Sequence, residues 1–127
     1  MESIIYQPHS KKRIMGILAH PDDEVIACGG LLAKTVNNGG EGFVYILTSS
    51  EERRSELERS CQILGVNYEV LELREKEFGF SSFSKEFLLG IEKIIADFRP
   101  HILITHDQQY DYHADHRKTA ELVVPRL

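Results

Sequence analysis

The sequence is poor in cysteine, with only Cys28 and Cys61 among 127 residues. Both fall in segments that read as helical, which argues against a thiolate metal site and for a reducing compartment. No stretch approaches the roughly 18 consecutive apolar residues that a membrane span needs. The N-terminus lacks a cationic region followed by an apolar one, so no secretory leader is expected and the expected location is the cytoplasm. Basic runs are short, as in Lys11-Lys12-Arg13, and 15 Lys and Arg stand against 20 Asp and Glu for a net charge of −5. That balance excludes a nucleic-acid footprint. Internal repeats and low-complexity tracts are missing, and so is any G-x-G-x-x-G. Gly29-Gly30 is therefore read as close packing of a helix and not as a phosphate loop.

With a 42% hydrophobic content, the chain suffices for one core and is too short for two. Residues 1–127 are read as a single domain. The apolar run Arg13 to Ala19 has the pattern of a strand covered on both faces. Val25 to Val36 carries Ile26, Leu31, Leu32 and Val36 at helical spacing and stops at Asn37-Asn38-Gly39-Gly40. The cycle repeats with Phe43–Thr48 as strand, Ser50–Leu64 as helix ending at Gly65, and Tyr68–Leu73 as strand. Ser84–Phe98 then reads as helix, Ile102–Thr105 as a fourth strand and Arg117–Val124 as a last short helix. This alternation predicts an α/β fold, a doubly wound, Rossmann-like, mainly parallel sheet with helices on both faces.

In the common strand order 3-2-1-4, strands 1 and 4 lie side by side where the winding reverses, and ligands bind outside their carboxyl ends. The two most charged loops follow those strands. One is His20-Pro21-Asp22-Asp23-Glu24. The other runs from His106-Asp107 through Tyr110-Asp111-Tyr112 to His113-Ala114-Asp115-His116. Folding would bring four histidines and at least five carboxylates into one crevice, where the acids would repel one another unless a cation joined them. Imidazole with carboxylate suits a catalytic Zn²⁺, and Fe²⁺ or another divalent metal is equally compatible with such ligands. His20 and Asp23 are three residues apart, as are His113 and His116, so each pair shares a face if its loop runs into a helix. An acid beside a ligand could take a proton from a metal-activated water, and a histidine outside the ligand set could stabilise an oxyanion.

"AHPDDE" followed by "CGGLLA", with a later H-x-D-H written here as "HADH", resembles the two signatures of the LmbE-like, or PIG-L-like, zinc-dependent N-deacetylase family. The likeness extends over most of the chain, including "TSSEERRSELERSCQILGV". It implies removal of an acetyl or related acyl group from an amine, often on an N-acetylglucosaminyl compound. It implies His20, Asp23 and His116 as zinc ligands, Asp22 as general base, and His113 as the imidazole that steadies the oxyanion. Asp115 is then expected to orient His113 or its neighbour. Where family members often carry an Asp after strand 3, this chain reads Phe80-Ser81-Ser82-Phe83. Members also usually continue well beyond H-x-D-H, so the expected object is the N-terminal core portion of the family fold, shortened at its C-terminal end.

Other residues have two readings each. Arg53 and Arg54, near Ser49 at the strand 2 exit, offer substrate contacts or surface pairing with Glu56 and Glu58. Tyr110 and Tyr112 either line the pocket or pack their loop; Arg53, Ser49 and Tyr112 are the candidate substrate contacts. Asp22-Asp23-Glu24 taken alone is a favourable helix start. His9 and His101 are read as incidental, and Cys28 and Cys61 as small buried hydrophobes. The expected partner is a small acylated amine, and a homo-oligomer would cover exposed sheet edges. The rival readings are an amidase for another small amide and a non-catalytic metal-binding or regulatory domain.

Overall fold

The computed structural model describes residues 11–72 and 81–126. Its elements are β1 (Arg13–Leu18), α1 (Asp23–Asn37), β2 (Glu41–Thr48), α2 (Glu51–Leu64), β3 (Asn67–Glu72), α3 (Ser81–Phe98), β4 (Ile102–Ile104), α4 (Ala114–Val123) and a terminal 3₁₀ turn, Val124–Arg126. Leu73, His9, Phe80 and Leu127 lie outside the described residues. The four strands form one parallel sheet in the order β3-β2-β1-β4, as the alternation of apolar strands and helices implied.

Period-2 alternation along the strands sorts the core into two layers. Met15, Ile17 and Ala19 of the β1 segment and Tyr45 and Leu47 of β2 face α3 and α4, meeting Phe87, Ile91, Ile94, Leu122 and Val123. Ile14, Leu18, Val44 and Ile46 point the other way, onto Cys28 and Leu32 of α1 and Leu57 and Cys61 of α2. Both thiols are buried and unpaired. On α2 only Leu57 and Cys61, one helical turn apart, are buried, so that charged helix rests on a narrow apolar stripe.

Helix ends explain most of the shifted boundaries. α1 begins at Asp23, ahead of the expected Val25, because Asp23 and Glu24 occupy its first turn, where acids suit the dipole and apolar periodicity has no signal. α4 likewise begins at Ala114 with His113 as N-cap. The Ser50 hydroxyl accepts from the Arg53 N–H at α2's start, and Gly65 closes that helix with φ 78°, a left-handed position that glycine takes without cost. β4 keeps only three paired residues. Thr105 instead donates its hydroxyl to the Ile17 carbonyl at 2.8 Å, so a side chain prolongs the β1–β4 contact beyond the ladder. At the other end, His101 Nδ1 accepts from the Arg13 N–H, which gives this histidine a structural role in tying the entrances of the two strands.

Candidate metal centre

The carboxyl ends of β1 and β4 are neighbours, and the chain beyond each is short and tied across. The Ala19 N–H donates to His106 Nε2 at 3.0 Å, and the Thr48 N–H donates to the Ala19 carbonyl. His20 then turns over the sheet, and Asp23, the first residue of α1, reaches back so that its Oδ2 accepts from the His20 N–H at 3.0 Å. From the second loop, His113 caps α4 by accepting the Asp115 N–H on Nδ1, and His116 follows one turn later.

Asp23 Oδ2 is the point on which the imidazoles converge. It lies 3.3 Å from His116 Nε2, 3.6 Å from His106 Nε2 and 3.8 Å from His20 Nδ1. The other nitrogens of two of these rings are committed elsewhere. His20 Nε2 meets Asp115 Oδ2 at 2.8 Å, and His116 Nδ1 meets Asp111 Oδ2 at 2.9 Å. A carboxylate only accepts, so each of those nitrogens carries the ring proton, and His20 Nδ1 and His116 Nε2, which face Asp23, are the acceptor nitrogens of their rings. Acceptors facing acceptors at these distances repel one another unless a cation sits between them.

The residues fit a divalent metal. Ligand atoms of His20, Asp23 and His116 lie within 4.8 Å of one another. Two donors sharing a tetrahedral ion at bonds of about 2.1 Å are about 3.4 Å apart, close to the 3.3 and 3.8 Å observed. Two overlapping groups, His20–His113–Asp115 and His106–Asp111–His116, are equally compact. In the first, His20 Nε2 and Asp115 are already bonded to each other. In the second, His116 Nδ1 is bonded to Asp111 and His106 Nε2 to the Ala19 amide. In the first-named triad the ring nitrogens opposite those bonds, His20 Nδ1 and His116 Nε2, both face Asp23 Oδ2.

The surrounding groups have definite states. Burial first, and then the His116 charge, push His106 down to about 4 against the opposing pull of Asp23 and Asp111, so this ring is neutral at neutral pH. Its Nε2 accepts a hydrogen bond, so its proton is on Nδ1. His113 accepts on Nδ1 in the same way, and its proton is on Nε2, a donor. One of its ring nitrogens lies within 4.8 Å of a His20 nitrogen. Burial raises the Asp111 carboxyl, but the His113 N–H, the His116 hydrogen bond and the His116 and His106 charges outweigh it and leave the group below its usual range.

The remaining motif residues have other partners or surroundings. Asp22 takes a left-handed backbone, φ 82°, its side chain is 65% exposed, and its Oδ2 lies 3.7 Å from Arg53 Nη2. The same guanidinium donates to the Pro21 carbonyl at 2.8 Å, so α2 grips the turn that precedes α1. Glu24 is fully buried, neither carboxylate oxygen lies within hydrogen-bond distance of a partner among the described residues, and burial raises its pKa. Of the candidate substrate contacts, Ser49 is buried with its hydroxyl on the Ser50 carbonyl, so it faces no open crevice. Tyr112 and Tyr110 are exposed at 94% and 79% and do not pack their loop. His106 and Asp111 carry no role in the sequence motifs. Their signal lay in position alone, at the end of strand 4 and two residues before the N-cap.

Residues 15–127 match the PIG-L family, described as GlcNAc-PI de-N-acetylase. A Bacillus subtilis (strain 168) protein named probable N-acetyl-alpha-D-glucosaminyl L-malate deacetylase 2 is 30% identical, over 92% of this chain and 61% of its own. A 1D-myo-inositol 2-acetamido-2-deoxy-alpha-D-glucopyranoside deacetylase from Rhodococcus erythropolis is 25% identical, over 84% of this chain and 50% of its own. Among solved structures, N,N'-diacetylchitobiose deacetylase from Pyrococcus horikoshii superposes with a TM-score of 0.75 at 27% identity, covering 93% of this chain and 50% of that one. The chain thus spans between half and about three-fifths of the length of these relatives.

Proposed function

The chain belongs to the PIG-L family, and on that footing we propose that it is a metal-dependent N-deacetylase that hydrolyses the acetamide of a small N-acetylglucosaminyl-type compound. The observation that carries the reading is the convergence of His20 Nδ1, His116 Nε2 and Asp23 Oδ2. The names of the relatives, deacetylases of N-acetylated sugars, support the substrate class. Zinc is the proposed ion, with Fe²⁺ or another divalent metal as the alternative for the same ligands. The two unpaired thiols support a cytoplasmic setting.

His20, Asp23 and His116 would hold the ion, which when bound polarises the amide carbonyl and makes a water molecule acidic enough to attack near neutral pH. Asp22, next to a ligand and outside the ligand set, accepts the proton of that water, with Arg53 holding its carboxylate at the turn. His113 donates Nε2–H to the oxygen that becomes negative as the carbonyl carbon turns tetrahedral, a contribution of about 3 kcal/mol in comparable sites. The Asp115 carboxylate holds His20, while its backbone N–H holds the tautomer of His113. The proton taken by Asp22 then passes to the amine nitrogen as the C–N bond breaks, giving acetate and an amine. Arg53 and Tyr112 are the proposed contacts for the rest of the substrate.

Acetate release from N-acetylglucosamine derivatives, measured beside metal content in wild type and Asp22→Asn, tests the reading. Loss of turnover with metal retained supports it. Retained turnover in Asp22→Asn would remove Asp22 from its role, and a metal-loaded wild type without turnover would make this a non-catalytic metal-binding domain.

A further inference from the structure

We propose that Asp111 is the positioning residue that commits His116 to the metal, by accepting the Nδ1 proton and so leaving Nε2 as the ligating nitrogen. This rests on the metal-centre reading above and adds a residue that neither motif contains. The plane of the His116 ring is set by stacking. His106 lies parallel to it with centroids 3.8 Å apart and planes at 6°, and His113 stacks on it at 4.6 Å and 14°. Stacking is indifferent to a half-turn of the ring about its Cβ–Cγ bond, which keeps the plane and would exchange a nitrogen for a carbon at the metal position. It is equally indifferent to which nitrogen carries the proton. The Asp111 carboxylate resolves both, because its Oδ2 stands 2.9 Å from Nδ1.

Asp111 is itself held on three sides. Its Oδ1 accepts the His113 N–H at 2.9 Å, its Oδ2 takes His116, and its backbone carbonyl receives Arg117 Nη1. The carboxylate therefore spans the N-cap of α4 and the histidine one turn inside it. The 2.9 Å separation is a hydrogen-bond length, shorter than the about 3.4 Å expected between two donors of one tetrahedral ion. That separates an orienting role from direct ligation in the overlapping His106–Asp111–His116 group. A carboxylate behind a ligating imidazole fixes its tautomer and raises its basicity.

The test is metal affinity of the full chain, stripped of metal and titrated with Zn²⁺ against a competing chelator, for wild type, Asp111→Asn and Asp111→Ala. The absorption spectra of the Co²⁺ forms and the melting temperatures of the metal-free proteins complete the comparison. Both variants are expected to bind Zn²⁺ about 10- to 100-fold more weakly, with Co²⁺ bands that keep the wild-type geometry. Asp111→Asn, which preserves shape and one oxygen acceptor, is expected to melt with the wild type when metal-free, so that a folding defect in Asp111→Ala alone does not decide the matter. Equal affinity in wild type and Asp111→Asn would overturn the proposal, as would a Co²⁺ spectrum showing a ligand lost. A wild type that binds no metal would instead overturn the metal-centre reading, and this inference with it.

Discussion

The rings of His106 and His116 lie face to face, 3.8 Å apart at their centroids, although one follows β4 and the other sits in the first turn of α4. Two imidazolium ions cannot share that geometry. The buried partner gives way: His106, with its side chain 6% exposed, is pushed down to about 4, by burial first and by His116 next.

Metal-free protein is therefore expected to lose stability as pH falls from about 6.5 toward 4. In that window the unfolded chain protonates His106 and the folded chain does not, so protons favour unfolding. The slope for one group is at most about 1.4 kcal/mol per pH unit, and the full loss is on the order of 3 kcal/mol. Chemical denaturation of wild type and His106→Gln between pH 4 and pH 7.5 measures it. The variant should show a shallower acid limb, and parallel curves would mean that His106 titrates normally.

How much of this was readable beforehand depended on the type of signal. Strand order, the two helical layers and the pairing of the His20 and His116 loops follow from apolar periodicity and from the position of charge at strand ends, both of which are local patterns. Asp111 and His106 act through ring stacking and single hydrogen bonds, some within their own loop, as between Asp111 and His116, and one reaching across the sheet, from the Ala19 N–H to His106; periodicity has no access to these. Glu24 shows the opposite failure. Its place in the acidic cluster accounted only for a favourable helix start, and α1 also turns it into the interior.

The two cysteines report on the α1–α2 side of the sheet. Burial, reinforced by the Glu24 charge, pushes Cys28 up to about 11, and burial with the Glu24 and Cys28 charges pushes Cys61 up to about 12. Thiolate is the reactive form, so at pH 8 a disulfide reagent such as DTNB is expected to react with native protein on the order of 100-fold more slowly than with unfolded chain. Full reactivity of both thiols should appear only in denaturant. Rapid labelling of native protein would show that α1 or α2 opens away from the sheet.

Asp22 joins chemistry to backbone strain, and the two can be separated. Its φ of 82° is a region that Asp and Asn enter through local hydrogen bonding and that most other residues enter at a cost of about 1–2 kcal/mol. Asp22→Asn is accordingly expected to keep wild-type stability while losing the proposed proton acceptor. Asp22→Ala is expected to lose both, with a lower denaturation midpoint corresponding to about 1 kcal/mol. The Arg53 contact adds little to this difference, since an exposed ion pair contributes between zero and about 1 kcal/mol. If the two variants unfold at the same denaturant concentration, the left-handed turn is relaxed by the neighbouring chain and its strain has no part in holding Asp22 beside the proposed metal ligands. If Asp22→Ala alone is destabilised, an acidic or amide side chain is required at this turn for folding, and only the Asn variant isolates catalysis.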